Sequence, residues 1–137
     1  MQNSSFYIET DRLGGIRMSR ILVVDDDSMA VRMIGFILKK SGHECLSASS
    51  GAQGMAILKS ENPDLMLLDV EMPGENGFEV LEALRRESGI SDANVCLMSG
   101  TVTDDLRERA EKLGAVGFIS KPVSAQELMQ VLSRTEI

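Results

Sequence analysis

Between residues 20 and 134, short solid apolar runs alternate with longer stretches in which apolar residues recur every three or four positions. The solid runs are Ile21-Leu22-Val23-Val24, Leu65-Met66-Leu67-Leu68, Val95-Cys96-Leu97-Met98 and residues 116–120, with a weaker one from Glu44 to Ala48. An unbroken apolar run bounded by turn residues fits a strand covered on both faces. The stretches between them predict helices near 28–40, 51–60, 77–87, 104–113 and 124–133. In the first, Met29, Met33, Ile34, Ile37 and Leu38 form the expected inward stripe. Asp27 or Ser28 can cap its start, and Gly42 can close its end. Asn62-Pro63 ends the second, because the residue before proline is pushed away from helix. The fourth carries only a narrow stripe of Leu106, Ala110 and Leu113 and is the element expected to be most mobile. Five strand–helix units in regular alternation predict an α/β domain, a parallel sheet with helices on both faces.

The 137 residues leave room for one domain of ordinary size. Residues 1–18 read as an N-terminal leader, expected to be flexible, and 19–137 as the domain. Met18 is an alternative start, and Phe6, Tyr7 and Ile8 could dock as a short segment. The leader lacks the apolar stretch of a signal peptide, and no apolar run approaches the ~18 residues of a membrane span. A net charge of −7 disfavours direct binding to nucleic acid and suits a divalent cation or a basic partner surface. Two cysteines make no disulfide framework; Cys45 and Cys96 both lie in apolar stretches, which points to buried, reduced thiols and a cytoplasmic setting. His43 follows Gly42 and is expected to be exposed and functionally silent, and most of the nine methionines to face inward.

The polar residues that interrupt this pattern fall where the runs end. The first ends in Asp25-Asp26-Asp27, the third in Asp69 with Glu71 two residues on, the fourth in Ser99-Gly100-Thr101 and the fifth in Lys121-Pro122. In an open parallel sheet the carboxyl ends of the strands share one edge, where ligands bind. Acids 44 residues apart, Asp25 and Asp69, should therefore converge, with a hydroxyl and an ammonium beside them. Clustered carboxylates repel unless a cation neutralises them. Their hard oxygens, without a Cys or His ligand, suit Mg²⁺ or Mn²⁺ rather than zinc. One carboxylate attacked by a phosphodonor would become an acyl phosphate.

The segments ILVVDDDS, LMLLDVEMPGENG, CLMSGT and GFISKP, in this order and spacing, resemble the receiver domain of two-component response regulators over about residues 20–134. The resemblance implies a flavodoxin-like (βα)5 fold, a doubly wound parallel sheet of strand order 2-1-3-4-5. It implies that Asp69 is the phosphoacceptor. It implies a metal site of Asp25, Asp26, Asp69 and the backbone carbonyl of Glu71, holding Mg²⁺, with Mn²⁺ as a substitute. Ser99, Gly100 and Lys121 would bind the phosphoryl group, and Ser99 and Phe118 would be the switch pair. The Lys121–Pro122 bond matches one that is cis in many members. The expected partners are a sensor histidine kinase or a histidine phosphotransfer protein and a downstream protein target. No direct contact with nucleic acid or membrane is expected, and the chain would be a monomer or weak dimer. Output would pass through another protein, and the chain would catalyse only its own phosphorylation and dephosphorylation.

Two positions depart from the best-known single-domain members. Phe118 stands where tyrosine often sits, so it offers no hydroxyl, and it serves as a core residue as readily as a switch. Glu71 puts a carboxylate where a neutral side chain is common, and is expected to modulate the site by opposing an anion or orienting a water. Two other functions compete. A Mg²⁺-dependent phosphohydrolase of the haloacid-dehalogenase type fits Asp25-x-Asp27 but lacks the later acidic pair and a cap domain. A receiver-like binding module that is not phosphorylated is at odds with so complete a set of site residues.

Overall fold

A computed structural model describes residues 9–10, 16–17 and 19–135. Five strands form one parallel sheet: β1 (Arg20–Val24), β2 (Glu44–Ala48), β3 (Leu65–Asp69), β4 (Val95–Ser99) and β5 (Gly117–Ser120). Their spatial order is 2-1-3-4-5, as the motifs imply. The helices are α1 (Ser28–Lys40), α2 (Gly51–Glu61), α3 (Gly77–Arg85), α4 (Asp104–Lys112) and α5 (Ala125–Arg134). All five strands and five helices fall within about two residues of the sequence-based bounds.

Alternation along each strand divides the core in two. Leu22, Val24, Met66, Leu68 and Leu97 face α2, α3 and α4, where Leu58, Phe78, Leu81, Leu84 and Ala110 are buried. Ile21, Val23, Leu65, Leu67, Cys96 and Met98 face α1 and α5, where Ile34, Leu38, Leu128, Val131 and Leu132 are buried. With helices over both faces, both sets of side chains leave water, which is why these runs are solidly apolar. The central position falls to β3, flanked by β1 and β4.

Each helix starts on a side-chain cap. Asp27, Ser50, Asn76, Thr103 and Ser124 accept from the backbone N–H of Met29, Gln53, Phe78, Leu106 and Glu127. Each satisfies one amide that the first helical turn leaves without a partner. Asp27 thus serves α1 as a cap.

Four expectations are corrected. Met29 and Met33 are 64% and 52% exposed, and Phe36 is 65% exposed. Three- and four-residue spacing marks two overlapping stripes on α1, and the packed one centres on Ile34 and Leu38. His43 is buried, because its N–H donates to Leu38 O at 2.9 Å and tucks the turn against the end of α1. The left-handed backbone of Gly42, φ 87°, makes that turn. Cys96 is buried, but Cys45 only partly. Its strand β2 is at the sheet edge, where cover is thinner.

Two short antiparallel pairs were not anticipated. Glu9–Thr10 pairs with Ile16–Arg17 within the leader, whose other residues lie outside those described. Glu71–Met72 pairs with Glu75–Asn76 directly after β3. Pro73 and Gly74, with φ 78° at the glycine, make the tight turn between them.

Candidate functional site

Where β1, β3, β4 and β5 end, the topology gathers Asp25, Asp26, Asp69, Glu71, Ser99, Gly100 and Lys121 at one rim. Asp25 follows β1, and its N–H donates to Ala48 O at 3.1 Å, which continues the ladder one residue past the strand. Its Oδ1 accepts from the Asp27 N–H at 3.0 Å, so one oxygen is fixed by the chain that leads into α1. Asp69 is the last residue of the central strand and is 1% exposed. Glycine at position 77 lets α3 begin against it: a Cβ there would lie 2.5 Å from the Asp69 carbonyl oxygen and 2.8 Å from Val70 Cα. The Gly77 N–H donates to Val70 O at 2.8 Å.

Asp25, Asp26 and Asp69 each offer a carboxylate oxygen, all within 4.8 Å of one another. Asp25 and Asp69 are buried, and Asp26 is exposed, so the cluster opens to solvent on one side. The Lys121 Nζ is 2.8 Å from Asp25 Oδ2 and 3.4 Å from Asp69 Oδ1. The Lys121–Pro122 bond is cis, as the motif implies, and the Lys121 N–H donates to Ser99 O at 2.9 Å.

Burial pushes the Asp69 carboxyl up to about 6, and the charge of Asp25 adds to the rise while Lys121 opposes it. Lys121 is pulled down by burial but held above its ordinary value by the hydrogen bond to Asp25 and the charges of Asp69 and Asp25. One ammonium against three carboxylates leaves a negative surplus in a partly dry site. An all-oxygen donor set of this kind fits a small hard divalent cation, which usually takes one or two carboxylates and keeps several waters.

Across the rim, the Glu71 carboxylate is bonded at the end of β4. Its Oε2 accepts from the Ser99 hydroxyl, and its Oε1 accepts from the Gly100 N–H at 3.1 Å. The Ser99 Oγ in turn accepts from the Thr101 N–H at 3.0 Å. The Glu71 N–H donates to Asp69 Oδ1 at 3.3 Å, so one residue touches Asp69 and Ser99 at once. The resemblance to receiver domains implies a modulating role for Glu71 but not this pairing, which depends on a side-chain rotamer.

Phe118 is buried and meets Phe78 edge to face, with ring centroids 6.1 Å apart. The Arg109 guanidinium of α4 lies 4.4 Å from the Phe78 centroid. A chain of contacts therefore runs from β5 through α3 to α4. Two further supports carried no sequence signal. Glu75 Oε2 accepts from Gly51 N–H at 3.1 Å, linking the turn after Asp69 to the start of α2. Arg85 donates to the carbonyls of Ser91, Ala93, Leu113 and Gly114, tying together the loops before β4 and β5.

Among the described residues no helix is long and apolar enough to cross a membrane. Residues 21–133 match the response regulator receiver domain. The chain is 31% identical to protein PilH of Pseudomonas aeruginosa over 116 residues, 85% of this chain and 96% of that one. It is 34% identical to the phosphate regulon transcriptional regulatory protein PhoB of the same organism, over 84% of this chain but only 52% of that protein. The structure of the chemotaxis protein CheY4 of Vibrio cholerae superposes with a TM-score of 0.79 at 26% identity, covering 87% of this chain and 99% of that one. Sequence match and fold agree over nearly all of the region that carries the rim residues, and the chain belongs to the response regulator receiver domain family.

Proposed function

We propose that this receiver domain is a phosphorylation-dependent signalling switch whose phosphoacceptor is Asp69. The observation that carries the reading is the convergence of Asp25, Asp26 and Asp69 within 4.8 Å, with Lys121 bonded into the same cluster. A phosphoryl group would arrive from a sensor histidine kinase or a histidine phosphotransfer protein. An Asp69 carboxylate oxygen attacks the phosphorus, the phosphorus–nitrogen bond of the donor breaks, and its electron pair leaves with the imidazole.

Asp25, Asp26, Asp69 and the backbone carbonyl of Glu71 are the residues that would hold Mg²⁺ or Mn²⁺. When bound, the cation supplies positive charge against the carboxylate and phosphoryl oxygens. Lys121 supplies the fixed positive charge of the chain itself, and its ammonium, with three donors, can add a phosphoryl oxygen to its present partners. Ser99 and Gly100 supply one hydroxyl and one amide donor. Engagement of Ser99 and repacking around Phe118 would bias a pre-existing equilibrium towards the form that a downstream protein recognises. The domain then acts as a regulated acceptor in the cytoplasm, as a monomer or weak dimer, and turns over only its own phosphoryl group.

The test is treatment with acetyl phosphate and Mg²⁺, followed by intact-mass measurement. The wild type should gain the mass of one phosphoryl group and Asp69→Asn none. Equal labelling of both would overturn the assignment of Asp69.

A further inference from the structure

We propose that Glu71 is a built-in competitor of the phosphoryl group: in the resting chain its carboxylate occupies the two donors, the Ser99 hydroxyl and the Gly100 amide, that the phosphorylated chain requires. The inference rests on the reading of Asp69 as phosphoacceptor and goes beyond it by naming what the switch must break.

The exclusivity follows from donor counts. A serine hydroxyl has one proton, and a backbone amide has one. The Ser99 proton is directed to Glu71 Oε2, while the Ser99 Oγ itself accepts from the Thr101 N–H. The Gly100 amide proton is directed to Glu71 Oε1 at 3.1 Å. Neither donor can serve Glu71 and a phosphoryl oxygen fully at the same time. Lys121 differs, because its ammonium carries three donors and need release nothing.

The contact is also well placed to respond to Asp69. The Glu71 backbone N–H bonds Asp69 Oδ1 at 3.3 Å, and the pairing of Glu71 with Asn76 holds the segment in a short hairpin. Glu71 is itself exposed, so its carboxylate can swing into water once displaced. The residue thus imitates, within the unmodified chain, two contacts of the modified one. It holds the switch in its resting arrangement until an anion on Asp69 competes successfully.

Charge repulsion alone offers a simpler account of a glutamate beside an anion site, and the two are separable. Beryllofluoride, a phosphoryl mimic added with Mg²⁺, would be titrated against the wild type, Glu71→Gln, Glu71→Ala, Ser99→Ala and the Glu71→Ala/Ser99→Ala double variant, each checked for folding by circular dichroism. Competition for Ser99 predicts at least threefold tighter binding by Glu71→Ala, with a smaller gain for Glu71→Gln, which keeps one acceptor oxygen. In the Ser99→Ala background the same Glu71→Ala change should gain less than half as much on a logarithmic scale. Equal gains in both backgrounds, or equal gains from Gln and Ala, would assign the effect to charge and overturn the proposal. Equal binding by wild type and Glu71→Ala overturns it as well and leaves the phosphoacceptor reading standing. Failure of every form to bind beryllofluoride overturns both together.

Discussion

The Lys121 ammonium donates to Asp25 Oδ2 at 2.8 Å, although 96 residues separate the two in the chain. The contact joins the ends of β1 and β5, strands that share no ladder, since β3 and β4 lie between them. The bond therefore spans the rim above the end of the central strand, and Asp69 lies within reach of the same ammonium at 3.4 Å. A long side chain crossing two intervening strands brings an ammonium to the acids of the cluster.

The burial of Asp69, with the charge of Asp25 beside it, makes a signed prediction about pH. The Asp69 carboxyl sits at about 6 when folded against an ordinary 3.8, so the folded state holds its proton more tightly than the unfolded state. Its contribution to stability is complete below about pH 4 and is lost as pH rises through about 6. Relative to Asp69→Asn, the wild type in chelator should lose about 1–3 kcal/mol across this window. Urea denaturation of both proteins at several pH values checks this, and parallel profiles would contradict it. Millimolar Mg²⁺ at pH 7 should narrow the gap, because a ligand that binds only the folded state adds to its stability.

Arg85 has a structural duty that its place at the end of α3 conceals. Its guanidinium reaches four backbone carbonyls, at 2.7 Å to Ala93, 2.8 Å to Leu113, 3.0 Å to Ser91 and 3.1 Å to Gly114. Arg85→Ala should destabilise the domain by about 2–4 kcal/mol, by leaving several of these carbonyls without their donor. Arg85→Lys should recover less than half, because a point-like ammonium cannot reproduce the planar fork. Thermal denaturation of the three proteins is the measurement, and full recovery by lysine would show that charge alone suffices.

The two faces of α1 should respond very unequally to substitution. Ile34 is 2% exposed, and Ile34→Ala should cost about 2–4 kcal/mol through lost burial and a residual cavity. Phe36 is 65% exposed, with the Lys40 ammonium 5.6 Å from its ring centroid, and Phe36→Ser should change stability by no more than about 0.5 kcal/mol. A large loss at Phe36 would mean that this face is covered in solution.

What could be read in the chain before its structure was known depended on how far each contact obeys a repeating rule. The apolar runs of β1, β3 and β4 announced strands buried on both faces, and strand polarity then placed Asp25, Asp69, Ser99 and Lys121 on a common edge. Such convergence needs only element order. The packed side of α1 needed more, because Met29 and Met33 share the periodicity of Ile34 and Leu38, and only the direction of the sheet decides between them. The fork of Arg85 and the bonds of Glu71 to Ser99 and Gly100 follow no period. They depend on where loops bring carbonyls and on one rotamer of a long side chain. His43 departs from its expected exposure for a related reason: a turn residue usually lies in water, and here the turn folds back onto its helix.

The close approach of α3 to the end of β3 reaches beyond local packing. A methyl group at position 77 would meet main-chain atoms of Asp69 and Val70, not a side chain that can step aside. Saturation mutagenesis should therefore find this glycine as intolerant as the aspartate it abuts, for a mechanical rather than a chemical reason. Nineteen alternatives would each push a helix off its seat and drag the carboxylate out of register with its neighbours.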